Sequence, residues 1–277
     1  MSECSGNCSS CSSKEKSDDC LLAARMGAVK HKIVVMSGKG GVGKSTVAVN
    51  LAKFLADSGK KVGLLDVDLH GPSIPEMLGA GDAAVETADG EFLPVSANGM
   101  VFMSVGLVLE QADTPVIWRG PMKIAVIRQL LSEVRWGELD CLIVDCPPGT
   151  GDEPLSVCQM IPDADGAVIV TTPQRIAADD VAKSINFCNQ LGFKILGIVE
   201  NMSGFVCPKC GEITEIFSGD AGKELSERYG IEFLGKLPMD PRVCSGGDAG
   251  KPFASGEDSP VRRAFAGIGG RILELIR

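Results

Sequence analysis

Residues 38–45, "GKGGVGKS", fit G-x-x-x-x-G-K-[ST] at every position. Glycines at Gly38, Gly40, Gly41 and Gly43, with Val42 between them, let backbone N–H groups wrap phosphate oxygens. A helix starting at Lys44, Ser45 and Thr46 adds the positive end of its dipole. Lys44 suits the β- and γ-phosphates, and the Ser45 hydroxyl suits Mg²⁺, so the chemistry is that of ATP. "CLIVDCPPGTGD" is an apolar stretch ending in Asp145, which can hold Mg²⁺ through water, and Gly149 can follow the γ-phosphate as a switch. "LLDVDLHGPS" ends another strand with Asp66 and Asp68. A different chemistry is offered by "NMSGFVCPKCGE", where Cys207 and Cys210 supply two thiolates, half of what zinc or a four-iron cluster takes.

These groups need rigid elements beneath them. "KIVVMS" at 32–37 is a short apolar run, as in a strand buried on both faces, and it enters the glycine loop. "STVAVNLAKFLADSG" leaves it with Val47, Ala48, Leu51, Ala52 and Leu55 on one helical face. Strands follow at 61–66, 140–145, 166–171, 193–200 and 231–236, and helices at 122–135, 176–191, 219–229 and 260–276. The alternation predicts an α/β fold with a mostly parallel, doubly wound sheet of the P-loop NTPase kind. Residues 80–106 break the rhythm, and "EFLPVSANGMVFMSVG" reads as a hairpin turning at Asn98-Gly99. Residues 1–29 are assigned to a Cys/Ser-rich flexible arm, and 30–277 to a single ATPase body.

Composition bounds the rest. Hydrophobic residues at 44% describe a folded body of 277 residues. A net charge of −9 argues against nucleic acid or anionic lipid as partners. The N-terminus has no apolar stretch of the signal-peptide kind, and no run is long enough to span a bilayer, so a cytoplasmic protein is expected. There the 11 cysteines are thiols. Cys141, Cys158, Cys188 and Cys244 read as core or loop residues, and Cys146 as a second thiol near the phosphates. Cys4, Cys8, Cys11 and Cys20 make a further four-thiol set. The other half of the Cys207–Cys210 site could thus come from the same pair in a second subunit or from the arm, and the arm could instead hold its own metal or none.

Lys39, directly after the first glycine, makes "KGGVGKST" similar to the deviant P-loop of nitrogenase iron protein and the cell-division and partition ATPases. With "LLDVDLHGPSIP", "WRGPM", "DCPPGTGDE", "TTPQ", "NMSGFVCPKC" and "GDAGKPF", the body from about residue 30 resembles the Mrp/ApbC group of iron–sulfur cluster carrier proteins. The resemblance implies a homodimeric ATPase that binds a [4Fe-4S] cluster and transfers it to apoproteins. It implies that Lys39 reaches the partner's nucleotide and that Asp68 orients the attacking water. It implies too that Asp66 lies near Mg²⁺ or Lys44, and that Asn201, Pro238 and Asp240 flank the adenine. It favours a cluster over zinc at Cys207 and Cys210, bridging two copies. Two other functions share the P-loop: a membrane or partition positioning ATPase, whose cue is the amphipathic "PVRRAFAGIGGRILELIR", and an ATP-gated electron-transfer protein.

Overall fold

The computed structural model describes residues 18–108, 120–253 and 258–277. The chain begins with α1 (Asp18–Gly27), β1 (Val29–Ser37), α2 (Lys44–Asp57), β2 (Val62–Asp66) and the one-turn α3 (Ile74–Met77). The irregular stretch carries β3 (Thr87–Ala88), β4 (Glu91–Phe92), β5 (Val95–Ala97), β6 (Met100–Ser104) and α4 (Val105–Val108). Next come α5 (Gly120–Ser132), β7 (Leu139–Asp145), α6 (Asp152–Met160), β8 (Gly166–Thr171) and α7 (Arg175–Leu191). The C-terminal third holds β9 (Ile195–Val206), β10 (Ile213–Thr214), α8 (Ala221–Tyr229), β11 (Phe233–Met239), α9 (Pro241–Asp248) and α10 (Pro260–Leu275).

The main sheet runs β10-β9-β8-β1-β7-β2-β6-β5, with β11 also paired to β9. Pairings are parallel except at β10 and β5, the antiparallel additions. Alternate residues of the central strands feed two cores. Ile33 and Val35 face α2 and α10, while Val34 and Met36 face the layer of α1, α5 and α6. Apolar runs such as "KIVVMS" and "LIVD" follow from that double covering. The hairpin turn at Asn98 (φ 53°) and Gly99 (φ 80°) joins β5 to β6 and is left-handed at both positions, the geometry that Asn-Gly supplies.

Part of the stretch assigned to a flexible arm, residues 18–27, is helical. Residues 18–27 form α1, which packs on α5 and buries Leu22 and Met26. Arg25 pairs with Glu91, and Asp19 lies 2.5 Å from Arg128. The body therefore begins by residue 18, and Cys20 sits half-buried on this helix. Cys4, Cys8 and Cys11 lie outside the described residues. Helices α6 and α9 were not expected either. At the other end, α10 buries Val261, Phe265, Ile268 and Ile272 against α2 and β11. Packing on the sheet covers the apolar face that could have met a bilayer. Among the described residues no helix is long and apolar enough to cross a membrane.

Candidate functional site

β1 delivers the chain to the phosphate loop at the carboxyl end of the sheet. The Ser37 hydroxyl donates to the Lys39 carbonyl at 3.0 Å, and the Gly149 N–H donates to the Ser37 carbonyl at 2.8 Å. Gly149 (φ 90°) thus binds the Asp145–Gly149 turn to the loop. Glycine is required at Gly43, which is left-handed (φ 80°) and whose missing Cβ would lie 2.2 Å from the Asn201 amide nitrogen. Gly38 has no space either, since a Cβ there would meet the Asp180 carbonyl carbon at 2.3 Å. Lys39 is half-exposed at the rim of the pocket that this loop, Ser45, Asp68 and Pro148 enclose.

The charges converge on Asp145. Lys44 Nζ donates to Asp145 Oδ1 at 2.7 Å, and Ser45 Oγ donates to Oδ2 at 2.6 Å. Asp66 is the register partner of Asp145 across β2 and β7. Its Oδ2 accepts from Ser104 Oγ and its Oδ1 from the Asp68 N–H, both at 3.0 Å. Burial, then the neighbouring Asp145, push the Asp66 carboxyl up to about 7. Burial raises Asp145 too, against Lys44 and Ser45. Two buried carboxylates beside one ammonium leave a negative excess that a divalent cation would neutralise, with Ser45 and Asp145 as the groups able to hold it. Asp68, more open, lies 3.8 Å from Lys44 Nζ, and its Oδ1 accepts the His70 N–H at 3.2 Å.

Sequence reasoning missed the next ring of contacts. Lys123 Nζ lies 2.8 Å from Glu153 and 3.0 Å from His70 Nε2, so α5 and α6 hold the loop that carries Asp68. Lys123 directly follows "WRGPM" and Glu153 closes "DCPPGTGDE", both stretches already singled out, but nothing in one dimension pairs them.

Beyond Gly43 and Thr46 the phosphate pocket opens into a cavity of about 730 Å³ between β9, β11, α9 and α10. Asn201, Met202, Phe205, Leu237, Pro238, Asp240 and Cys244 line it, so Asn201, Pro238 and Asp240 do share one cavity. Their side chains are not equally free. Asn201 Nδ2 donates to the Val42 carbonyl at 2.9 Å, bracing the phosphate loop. Asp240 caps α9 through the Arg242 N–H at 2.9 Å and accepts Arg242 Nη2 at 2.6 Å, which holds its carboxyl below the usual range.

Cys207 and Cys210 occupy the turn between β9 and β10. The Cys207 N–H donates to the Glu212 carbonyl at 2.9 Å, and the Gly211 N–H returns to the Cys207 carbonyl at 2.8 Å. Inside this knuckle the backbone N–H groups of Cys210 and Lys209 and the Cys210 side chain bond to the Cys207 sulfur and lower its thiol below the ordinary range. Cys210 is exposed. Among the described residues no third cysteine, histidine or carboxylate joins the pair in a metal-holding group, and Cys20 is not brought to it. The remaining thiols differ sharply. Burial pushes Cys141 and Cys188 to about 11, Cys158 to about 12 and Cys146 well above its usual value. Cys146 is fully buried in the core beneath α6, so the thiol expected near the phosphates is shielded from solvent. Cys244 lies on α9, not on a loop.

Comparison with known proteins agrees with this arrangement. The family described as ParA: NUBPL iron-transfer P-loop NTPase matches residues 28–273. An iron-sulfur cluster carrier protein of Methanocaldococcus jannaschii is 48% identical over 286 aligned positions, covering 100% of this chain and 98% of the relative. The cytosolic Fe-S cluster assembly factor NUBP2 of Bos taurus is 48% identical over 251 positions, covering 88% and 93%. The solved structure of a nucleotide-binding protein from Archaeoglobus fulgidus, in complex with ADP and with cobalt, superposes with a TM-score of 0.76 at 42% identity, covering 87% of this chain and 94% of that one. A phosphate loop on this sheet, followed across nearly the whole chain by such relatives, makes the protein a member of the NUBPL iron-transfer family of ParA-type P-loop NTPases.

Proposed function

We propose that the protein is an ATP-hydrolysing carrier, working as a cytoplasmic homodimer, that holds a [4Fe-4S] cluster as cargo and passes it to apoproteins. One observation carries this reading. The strand β9 that braces the phosphate loop through Asn201 ends at Val206 and leads directly into the turn that carries the cysteine pair Cys207 and Cys210. A change at the nucleotide therefore has a short covalent route to the cargo. The relatives' names, cluster carrier and cluster assembly factor, support the choice of cargo.

In this reading Gly38–Thr46 bind ATP, Ser45 and Asp145 hold Mg²⁺, and Asp68 orients the attacking water. Lys39, at the rim, reaches the nucleotide of a second copy. Cys207 and Cys210 of two copies supply the four thiolates a cubane takes. Anaerobic reconstitution with metal analysis tests it. About four irons per dimer are expected at this site, falling to none in Cys207→Ala with ATP binding retained. Full iron and sulfide in Cys207→Ala would refute the bridging pair. Lys44→Ala is expected to lose ATP binding and to impair maturation of an iron–sulfur client in cells.

A further inference from the structure

Between the nucleotide and the cysteines, β9 is not a regular strand. Asn201 pairs with Leu237 of β11 and Phe205 pairs with Met239, so β9 advances four residues while β11 advances two. Met202, Ser203 and Gly204 arch out as a bulge. Met202 adopts φ 58° and Gly204 φ 92°. A left-handed methionine is uncommon and persists only where its surroundings fix it.

Both ends of the arch are packed tightly. On the nucleotide side Met202 lies beside Gly43, and Asn201 bonds to Val42. On the cargo side a Cβ on Gly204 would stand 2.7 Å from the Ile213 side chain of β10, the strand that closes the cysteine turn. One side chain fastens the arch. Glu200 is fully buried, and no motif of the sequence assigned it a role. Its Oε1 accepts the Ser203 hydroxyl at 3.0 Å and lies 3.6 Å from Lys236 Nζ on β11. Its Oε2 accepts the Gly222 N–H at 2.8 Å, in the first turn of α8. A buried carboxylate bonded to the bulge, to β11 and to a helix N-terminus holds that bulge in one of its arrangements.

We propose that Glu200 is a positioning residue. It sets the resting geometry of the Met202–Gly204 bulge, and the bulge carries the nucleotide state from Val42 and Gly43 to the Cys207–Cys210 turn. This rests on the reading of the protein as a nucleotide-gated cluster carrier and names the element that does the gating. Without the Ser203–Glu200 bond the bulge is loose, and displacement of the phosphate loop is absorbed before it reaches β10.

The test uses the full chain, loaded anaerobically with its cluster. The rate at which a ferrous chelator extracts iron is measured without nucleotide and with Mg²⁺ and a non-hydrolysable ATP analogue. In the wild type the two rates are expected to differ by a factor within the roughly 5- to 150-fold span of coupled sites. In Glu200→Gln and in Ser203→Ala, loading and nucleotide affinity stay near wild type while the ratio falls to about one. A merely structural role would lower iron content or melting temperature and leave the ratio in place. If Glu200→Gln does not fold, Ser203→Ala alone decides, since it removes one half-buried hydroxyl. A wild-type ratio kept in Ser203→Ala overturns the proposal while leaving the carrier reading intact. A ratio of one in the loaded wild type overturns both.

Discussion

Asp66 has a measurable consequence for stability. Its carboxyl ordinarily titrates at 3.8, and in the fold burial and Asp145 raise it to about 7. Between those values the folded chain holds a proton that the unfolded chain has released. Stability therefore falls as pH rises through the window, and the loss is complete above pH ~7. Three units at about 1.36 kcal/mol each give a cost of roughly 4 kcal/mol at pH 8 relative to pH ~4. Asn cannot titrate. Asp66→Asn, in buffer free of nucleotide and Mg²⁺, should then gain on the wild type as pH rises. From pH 5 to pH 8 about two units of the window are crossed, so the gap should widen by roughly 3 kcal/mol in favour of the variant. Urea unfolding at half-unit pH steps reads it directly, because a change in midpoint at constant slope is a change in stability. A gap that stays flat across the range, or closes with rising pH, would show that Asp66 is ionised throughout. The electrostatic account of the site would then be wrong.

Other perturbations follow from the same structure. Met26→Ala should cost about 2–5 kcal/mol in urea unfolding if α1 is part of the core, and near zero if it is a loose arm. Gly43→Ala should lower nucleotide affinity by about tenfold or more, since its Cβ must displace Asn201 from a left-handed backbone; an unchanged titration would contradict the packing. Lys39→Met should bind ATP as the wild type does in equilibrium titration and yet lose hydrolysis by about 10³-fold or more, if it acts on a partner's nucleotide as an arginine finger does. Mixing it with an excess of Lys44→Ala chains should restore part of the rate only if the lysine acts between copies.

Much of this was legible in one dimension because the signals are local. A strand, a glycine loop and an amphipathic helix in that order can hardly be anything but a phosphate cradle, and the Asn98-Gly99 turn specifies its own hairpin. The α1 helix escapes a one-dimensional reading because "CLLAARM" is one short apolar run directly after a polar arm, and the burial of Leu22 and Met26 depends on α5, about a hundred residues away. Asn201 lines the cavity with Pro238 and Asp240, and its side chain also holds a carbonyl 159 residues away, a contact no spacing announces. Asp240 could have been read better, since Asp before Pro241 is a helix cap signature. Glu200 gave no signal at all, because a buried carboxylate is recognised only from its partners.

The buried thiols bear on how a protein made of cysteine-rich material can handle a thiophilic metal. Of eight described cysteines, Cys141, Cys146, Cys158 and Cys188 are buried in the core. A thiol raised to about 12 presents only about one thiolate in 10⁵ molecules at neutral pH, five decades below its midpoint. Iron binds thiolates, so these sulfurs are chemically silent toward it, while hydrogen bonds in the β9–β10 turn favour the thiolate of Cys207, the ligand proposed above. Discrimination among identical side chains is thus achieved by burial at four of them and by backbone hydrogen bonds at Cys207. Unfolding would abolish it at once and turn the chain into an indiscriminate chelator.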